Sequence, residues 1–163
     1  MADQTDIDAA RAAVRAWCGW HVTPVNTDQV LTLDGPGGPV LFIPTLRLLD
    51  LAEVIEDGVS LDVSTLRTTS DGRVRKRDGS WWIDAYGSIA VKVTHGFTAA
   101  EVPNFERAVQ VLAASFASSK RDDPTIVEKQ VDDVRYRWDG TSGVVAAVCA
   151  SYGLDAYRLE RQP

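Results

Sequence analysis

Four Asp-Gly pairs, at positions 34–35, 57–58, 71–72 and 78–79, punctuate the stretch between Val22 and His95. Asp-Gly favours the positive φ values that tight hairpin turns demand, and the residues between the pairs are short runs of Val, Leu, Ile and Thr. The spacing predicts an antiparallel β-meander with strands at 30–33, 40–43, 51–55, 66–69, 73–77, 81–84 and 89–94. Several of these runs alternate apolar and polar residues, as a half-buried sheet requires. Asp34-Gly35-Pro36-Gly37-Gly38 reads as a hairpin loop, because no Lys-Ser or Lys-Thr pair follows it to make a phosphate cradle.

Helical periodicity flanks this region on both sides. Residues 7–17 set Ile7, Ala10, Val14 and Trp17 at steps of three and four, with Thr5 or Asp6 as the cap and Gly19 as the stop. Residues 102–118 place Val102, Phe105, Val109, Leu112 and Phe116 on one face, with Pro103 in the first turn. The fold class expected is therefore α+β, with two helices packed together and a β-region between them in sequence. On this reading Trp17, Trp20, Trp81 and Trp82 are core residues, and Trp17→Ala costs about 3 to 5 kcal/mol if the ring is buried.

The last forty residues are less regular. A polar linker at 120–124 is followed by weak alternation through Val131, Val134, Tyr136 and Trp138, then a short helix from Gly143 to about Tyr152. We divide the chain into a core, 1–119, and a C-terminal extension, 120–163. Trp138, Tyr152, Leu154, Tyr157 and Leu159 have no evident place in the core and are the expected anchors for a larger partner.

Composition narrows the function. The chain has 163 residues, 45% of them hydrophobic, which suits one compact unit rather than a disordered tail. No run approaches the ~18 apolar residues of a membrane span, and the acidic start is unlike a secretion signal. Synthesis in the cytoplasm is expected. The net charge of −6 is the wrong sign for a protein that grips nucleic acid tightly. All of it lies between Asp28 and Asp62, where Asp28, Asp34, Asp50, Glu53, Glu56, Asp57 and Asp62 face a single Arg47.

Motif by motif, catalysis finds little support. Cys18-Gly19-Trp20-His21 has a Cys-x-x-His spacing, but His95 and Cys149 stand alone where zinc sites use paired ligands. No Gly-x-Ser-x-Gly elbow exists. Glu53, Glu56 and Asp57 lack the regular ladder of a calcium loop. Arg73, Arg75 and Arg77 would project from one face of a strand and require anions. Those anions are the acids of a neighbouring copy such as Glu53, Glu56 and Asp57, solvent counterions, or DNA phosphate.

Taken in order, several pieces carry a resemblance. They are residues 9–22 (Ala-Ala-Arg-Ala-Ala-Val-Arg-Ala-Trp-Cys-Gly-Trp-His-Val), the turn at 33–38, Glu56-Asp57-Gly58-Val59, Asp71-Gly72 with the Gly79-Ser80-Trp81-Trp82 step, and Val93-Thr94-His95-Gly96-Phe97 before an Ala-rich helix. Over about residues 7–118 this order resembles the head-to-tail adaptor (connector) proteins of long-tailed phages infecting actinobacteria. The resemblance implies a non-enzymatic virion protein without cofactor. It implies a dodecameric ring that docks on a portal, meets a stopper or tail protein on its other side, and surrounds the DNA exit channel. A stopper or tail-completion protein is the nearest alternative. A small metal-dependent enzyme or ligand-binding β-domain, with Cys18, His21 and His95 converging, is the alternative of another class.

Overall fold

The computed structural model describes residues 2–119, 128–131, 134–137 and 141–159. The chain divides into two compact units, a helical one made of Met1–Gly19 and Val102–Pro163 and a β unit spanning Trp20–Glu101. The α+β class is as the sequence indicates.

In the helical unit, α1 runs Gln4–Cys18 and starts one turn earlier than periodicity suggests. Its cap is Asp3 rather than Thr5 or Asp6, because Asp3 and Asp6 form a reciprocal capping box. The Asp6 amide donates to Asp3 Oδ1 at 2.8 Å and the Asp3 amide to Asp6 Oδ2 at 3.1 Å. Gly19 ends the helix in the left-handed region at φ 80°, as its position suggests. The buried stripe is Asp6, Ala10, Val14 and Cys18. Helix α2, Pro103–Ser119, packs on α1 through Val102, Phe105, Ala108, Val109, Leu112 and Ala113, all buried. Arg11 clamps Glu106 across the pair with two bonds of 2.8 and 2.9 Å.

The C-terminal residues join this unit. Beyond a short hairpin of β8, Glu128–Val131, and β9, Val134–Arg137, helix α3, Thr141–Ser151, packs on both α1 and α2 and buries Cys149. A 3-10 turn at Leu154–Tyr157 buries Leu154 completely. The Leu159 amide then donates to the Cys18 carbonyl at 2.8 Å, satisfying a carbonyl that the end of α1 leaves without a helical partner. Arg158 lies over the Trp17 ring at 4.8 Å. Trp17 is only half-buried, so the core role expected for it is corrected. Trp17→Ala should lower stability by about 2 kcal/mol, the partial burial plus the lost cation–π contact, read as a modest fall in melting temperature.

In the β unit, two antiparallel sheets share one core. One has the order β1-β7-β3-β4 and the other β2-β6-β5. The strands are β1 Asn26–Pro36, β2 Leu41–Phe42, β3 Leu48–Glu56, β4 Val59–Leu61, β5 Leu66–Thr68, β6 Arg73–Lys76 and β7 Asp84–His95. The simple meander is therefore corrected: β1 pairs with β7, and β2 with β6, across long stretches of sequence. Residues 81–83 are not a strand, and β4 was not foreseen. Central strand β7 alternates cleanly, burying Ile89, Val91, Val93 and His95. Its neighbour β3 instead buries Leu48, Leu51 and Val54, a step of three permitted by register shifts between Leu48 and Asp50 and between Leu51 and Glu53. Leu41, Ile43, Leu66, Val74 and Trp82 close the core from the second sheet and its flank.

Candidate functional site

The basic hairpin of the β unit is built on the Asp71-Gly72 turn, which joins β5 to β6. Strand β6 alternates as its sequence dictates: Val74 is fully buried while Arg73, Arg75 and, just past the strand, Arg77 are exposed. The three arginines are not equivalent. Arg73 Nε reaches Asp71 at 3.0 Å, and Arg77 Nε donates to the Leu66 carbonyl at 3.1 Å. Arg75 has no partner among the described residues, and directly opposite it in register stands a cation the sequence reading missed, Arg67 of β5. Arg67, Arg75 and Arg77, with Lys76 and Ser80, line a groove of about 280 Å³. Counting residue pairs outward from a two-residue Asp71-Gly72 turn would set Arg67 against Lys76; the loop is instead the three residues 70–72 between Thr69 and Arg73, and that one-residue shift brings Arg67 opposite Arg75.

The three acids expected to meet these arginines also separate. Glu56 is engaged within the chain. Its carboxylate takes Lys76 Nζ at 2.6 Å and the Ile83 amide at 2.8 Å, and both side chains of the ion pair are largely buried. Glu53 and Asp57 are exposed. Glu53 lines a second groove with Asp62 and Lys92, and Asp57 occupies the two-residue turn between β3 and β4.

A cluster of packed rings, with Trp20 and His95 buried and His21 and Phe97 half-buried, occupies the other end of β7. His21 and His95 meet edge-to-face with centroids 4.4 Å apart, beside Trp20 and Phe97. Gln29 Oε1 accepts from Asn26 Nδ2 and lies 2.9 Å from His95 Nε2, so the His95 proton belongs on Nε2. Burial first, and His21 second, push the His95 pKa down to about 4. An unfolded histidine titrates near ~6.5, so the unfolded chain binds the proton first as pH falls. This contribution to stability is complete above pH ~6.5 and is lost as pH drops from there towards 4. Between pH 7 and pH 5 the wild type should lose about 2 kcal/mol more than His95→Gln, measured by urea denaturation at each pH.

A metal reading of these histidines finds no third ligand. Among the described residues, no group of three or more His, Cys, Asp or Glu side chains is placed to hold an ion. Cys18 lies in the helical unit, and its thiol is driven up to about 12 chiefly by burial, then by Cys149; burial also raises Cys149. Thiols held protonated are poor ligands and poor nucleophiles.

Of the expected docking residues in the helical unit, Leu154 is fully buried and therefore serves the fold rather than a partner. Tyr152, Tyr157 and Leu159 are half-buried, and Trp138 lies outside the described residues. Exposed aromatics sit in the β unit instead: Trp81, expected in the core, is corrected to 68% exposed, since residues 81–83 form no strand to turn its ring inward, and Tyr86, which the sequence reading missed, is 95% exposed. Trp81 follows Ser80 of the basic groove, and its carbonyl accepts from Lys76 Nζ at 3.1 Å.

No family model and no curated protein matches the chain. Solved structures do. A chain from the neck of a native GTA particle, computed with C12 symmetry, aligns with a TM-score of 0.58 and 14% identity, covering 98% of this chain and 82% of that one. A chain from the neck of an empty GTA particle, computed with C6 symmetry, aligns with a TM-score of 0.59 and 16% identity, covering 98% and 77%. The chain thus has the fold of neck components of phage-like particles. The matched structures are GTA necks, so the narrower link to actinobacterial phages is not carried by them.

Proposed function

We propose that the protein is a structural neck component, a head-to-tail adaptor that forms a ring between the portal and the stopper or tail and surrounds the DNA exit channel of a phage or phage-like particle. The observation that carries this reading is the alignment of nearly the whole chain with neck chains from two states of a GTA particle. The symmetries of those necks, C12 and C6, are both compatible with a twelve-membered ring. The order of sequence pieces resembling actinobacteriophage adaptors supports the same role and the finer assignment. A net charge of −6 suits a conduit through which DNA must slide rather than bind.

Within the ring, copies would be joined by charge, with Arg75 and Arg77 of one subunit towards Glu53 and Asp57 of the next. Arg73 and Glu56, expected to share in this contact, already have partners in their own chain. Docking on the portal falls to the C-terminal extension through Trp138, Tyr152, Tyr157 and Leu159. Truncation after Ser119 would remove Cys149 and Leu154 from the helical core, so point variants at the two tyrosines are the cleaner probe. Electron microscopy of portal-bearing particles with the purified protein tests the role. A stacked ring below the portal is the expected image, and bare portals at saturating protein would overturn it.

A further inference from the structure

The β unit contains seven cations, and four of them are matched to carboxylates within it: Arg47 with Glu101, Arg73 with Asp71, Lys76 with Glu56 and Lys92 with Asp28. The other three, Arg67, Arg75 and Arg77, make no ion pair among the described residues, and all three line one groove. Two of them stand directly opposite one another across the β5–β6 ladder. Like charges in that relation repel and weaken a hairpin unless an anion lies between them. Arg75 and Arg77 are two residues apart, hence roughly 6.6 Å along the chain. Three guanidinium forks at such spacing fit a pair of carboxylates better than one isolated anion.

We propose that this groove is a carboxylate-recognition site whose occupant is the acidic edge of a second copy of the chain, with Arg67 as a contact residue that sequence reading did not identify. Sheet order supplies the geometry. Strand β5, carrying Arg67, is the edge of its sheet, and β4 is an edge of the other. Beside β4 lie the exposed acids Glu53 and Asp57 of β3 and its turn, with the exposed Asp50 further along β3 opposite Thr94. These acids belong to residues 28–62, which hold the chain's whole excess of negative charge. Phosphate of nucleic acid is the poorer match, because a chain of net charge −6 would repel a polyanion that this one groove attracts. Trp81, exposed beside the groove, adds the aromatic that such contacts use as an anchor. The proposal rests on the adaptor reading only in specifying which edges meet in the ring.

The test uses the full-length protein in solution. At about 20 mM salt, backbone and arginine Nε resonances are followed from about 50 μM to about 1 mM protein. Signals of Arg67, Arg75 and Arg77 should move together with those around Glu53, and the movement should vanish at about 300 mM salt. Arg67→Glu/Arg75→Glu should weaken self-association at least about ten-fold, as should Asp50→Lys/Glu53→Lys, and a mixture of the two variants should restore it. Arg67→Gln/Arg75→Gln, which removes repulsion without reversing charge, should also lose association while melting no lower than wild type, and so excludes misfolding as the cause. Shifts independent of concentration, association unchanged in the variants, or shifts produced by a DNA duplex in place of self-association would each overturn the proposal. Portal decoration is scored separately. Particles decorated equally well by Arg67→Glu/Arg75→Glu keep the adaptor role and remove the groove from it, whereas self-association through the groove without decoration does the reverse.

Discussion

Replacing Trp82 by alanine should destabilise the β unit by about 3 to 5 kcal/mol, the largest single loss expected from any side chain in it. The indole is 2% exposed and belongs to the core shared by both sheets. Its Nε1 donates to the Val74 carbonyl at 3.3 Å, and Lys76 Nζ lies 4.8 Å over the ring while bonded to Glu56. Alanine therefore leaves a cavity, deprives a buried carbonyl of a donor, and loosens the ion pair that ties β6 to the end of β3. Such a loss approaches the whole stability of an ordinary domain. Circular dichroism in urea should show the strand signal lost at a much lower midpoint than in wild type. The adjacent Trp81→Ala, with its ring 68% exposed, should move the midpoint by less than about 0.5 kcal/mol equivalent. Equal effects of the two substitutions would contradict the packing described.

Those two tryptophans show what a sequence can and cannot reveal. Side by side in one irregular segment, they have the same composition signal and opposite fates. Alternation would have separated them only if 81–84 were a strand, and it is not one. Helices α1 and α2 were legible because their apolar stripes recur over several turns, and Gly19 as the cap of α1 and Pro103 in the first turn of α2 agree with the period. Pairing of β1 with β7 was not, since nothing local in residues 26–36 names a partner 48 to 69 residues away. The buried step of three in β3 escaped for another reason: its bulges break the period on which strand reading depends.

Site residues divide along the same line. Arg73, Arg75 and Arg77 were visible because their alternation is local, running along β6 and one residue past it. That Arg73 and Glu56 are already paired, while Arg67 is not, depends on contacts between segments and so required the fold. Leu154 looked like a docking anchor because its segment has no evident place in the core when read along the sequence. Its neighbours in space are the helices of its own unit, where it is wholly buried. The His21–His95 pair was equally hidden, since the two rings come from segments more than seventy residues apart.

Gly35→Ala should cost about 3 kcal/mol, more than an alanine at Gly58, although both positions read as Asp-Gly in the sequence. Asp57-Gly58 behaves as that dipeptide suggests. Asp57 has φ 50° and Gly58 φ 77°, the pair closes the two-residue turn from Glu56 to Val59, and a Cβ on Gly58 would meet nothing within 4 Å. Its only cost as alanine is the left-handed backbone, about 1 kcal/mol. Asp34-Gly35 is not a turn at all. Gly35 lies within β1 opposite Ala85, at a register shift, and a Cβ there would come 2.1 Å from the Ile83 carbonyl oxygen and 2.8 Å from Ser88 Oγ. The backbone of residues 83–85 cannot retreat freely, because the Gly37 amide donates to that Ile83 carbonyl and the Ile83 amide is held by Glu56. A methyl at 35 must therefore push β1 away from the start of β7 and strain the anchor of Glu56. Hydrogen exchange should show amides of residues 83–88 opening far faster in Gly35→Ala than in Gly58→Ala, and urea midpoints should fall in the same order. If the two variants melt alike, β1 does not continue past Leu33 and residues 34–38 form the hairpin loop that their composition suggests.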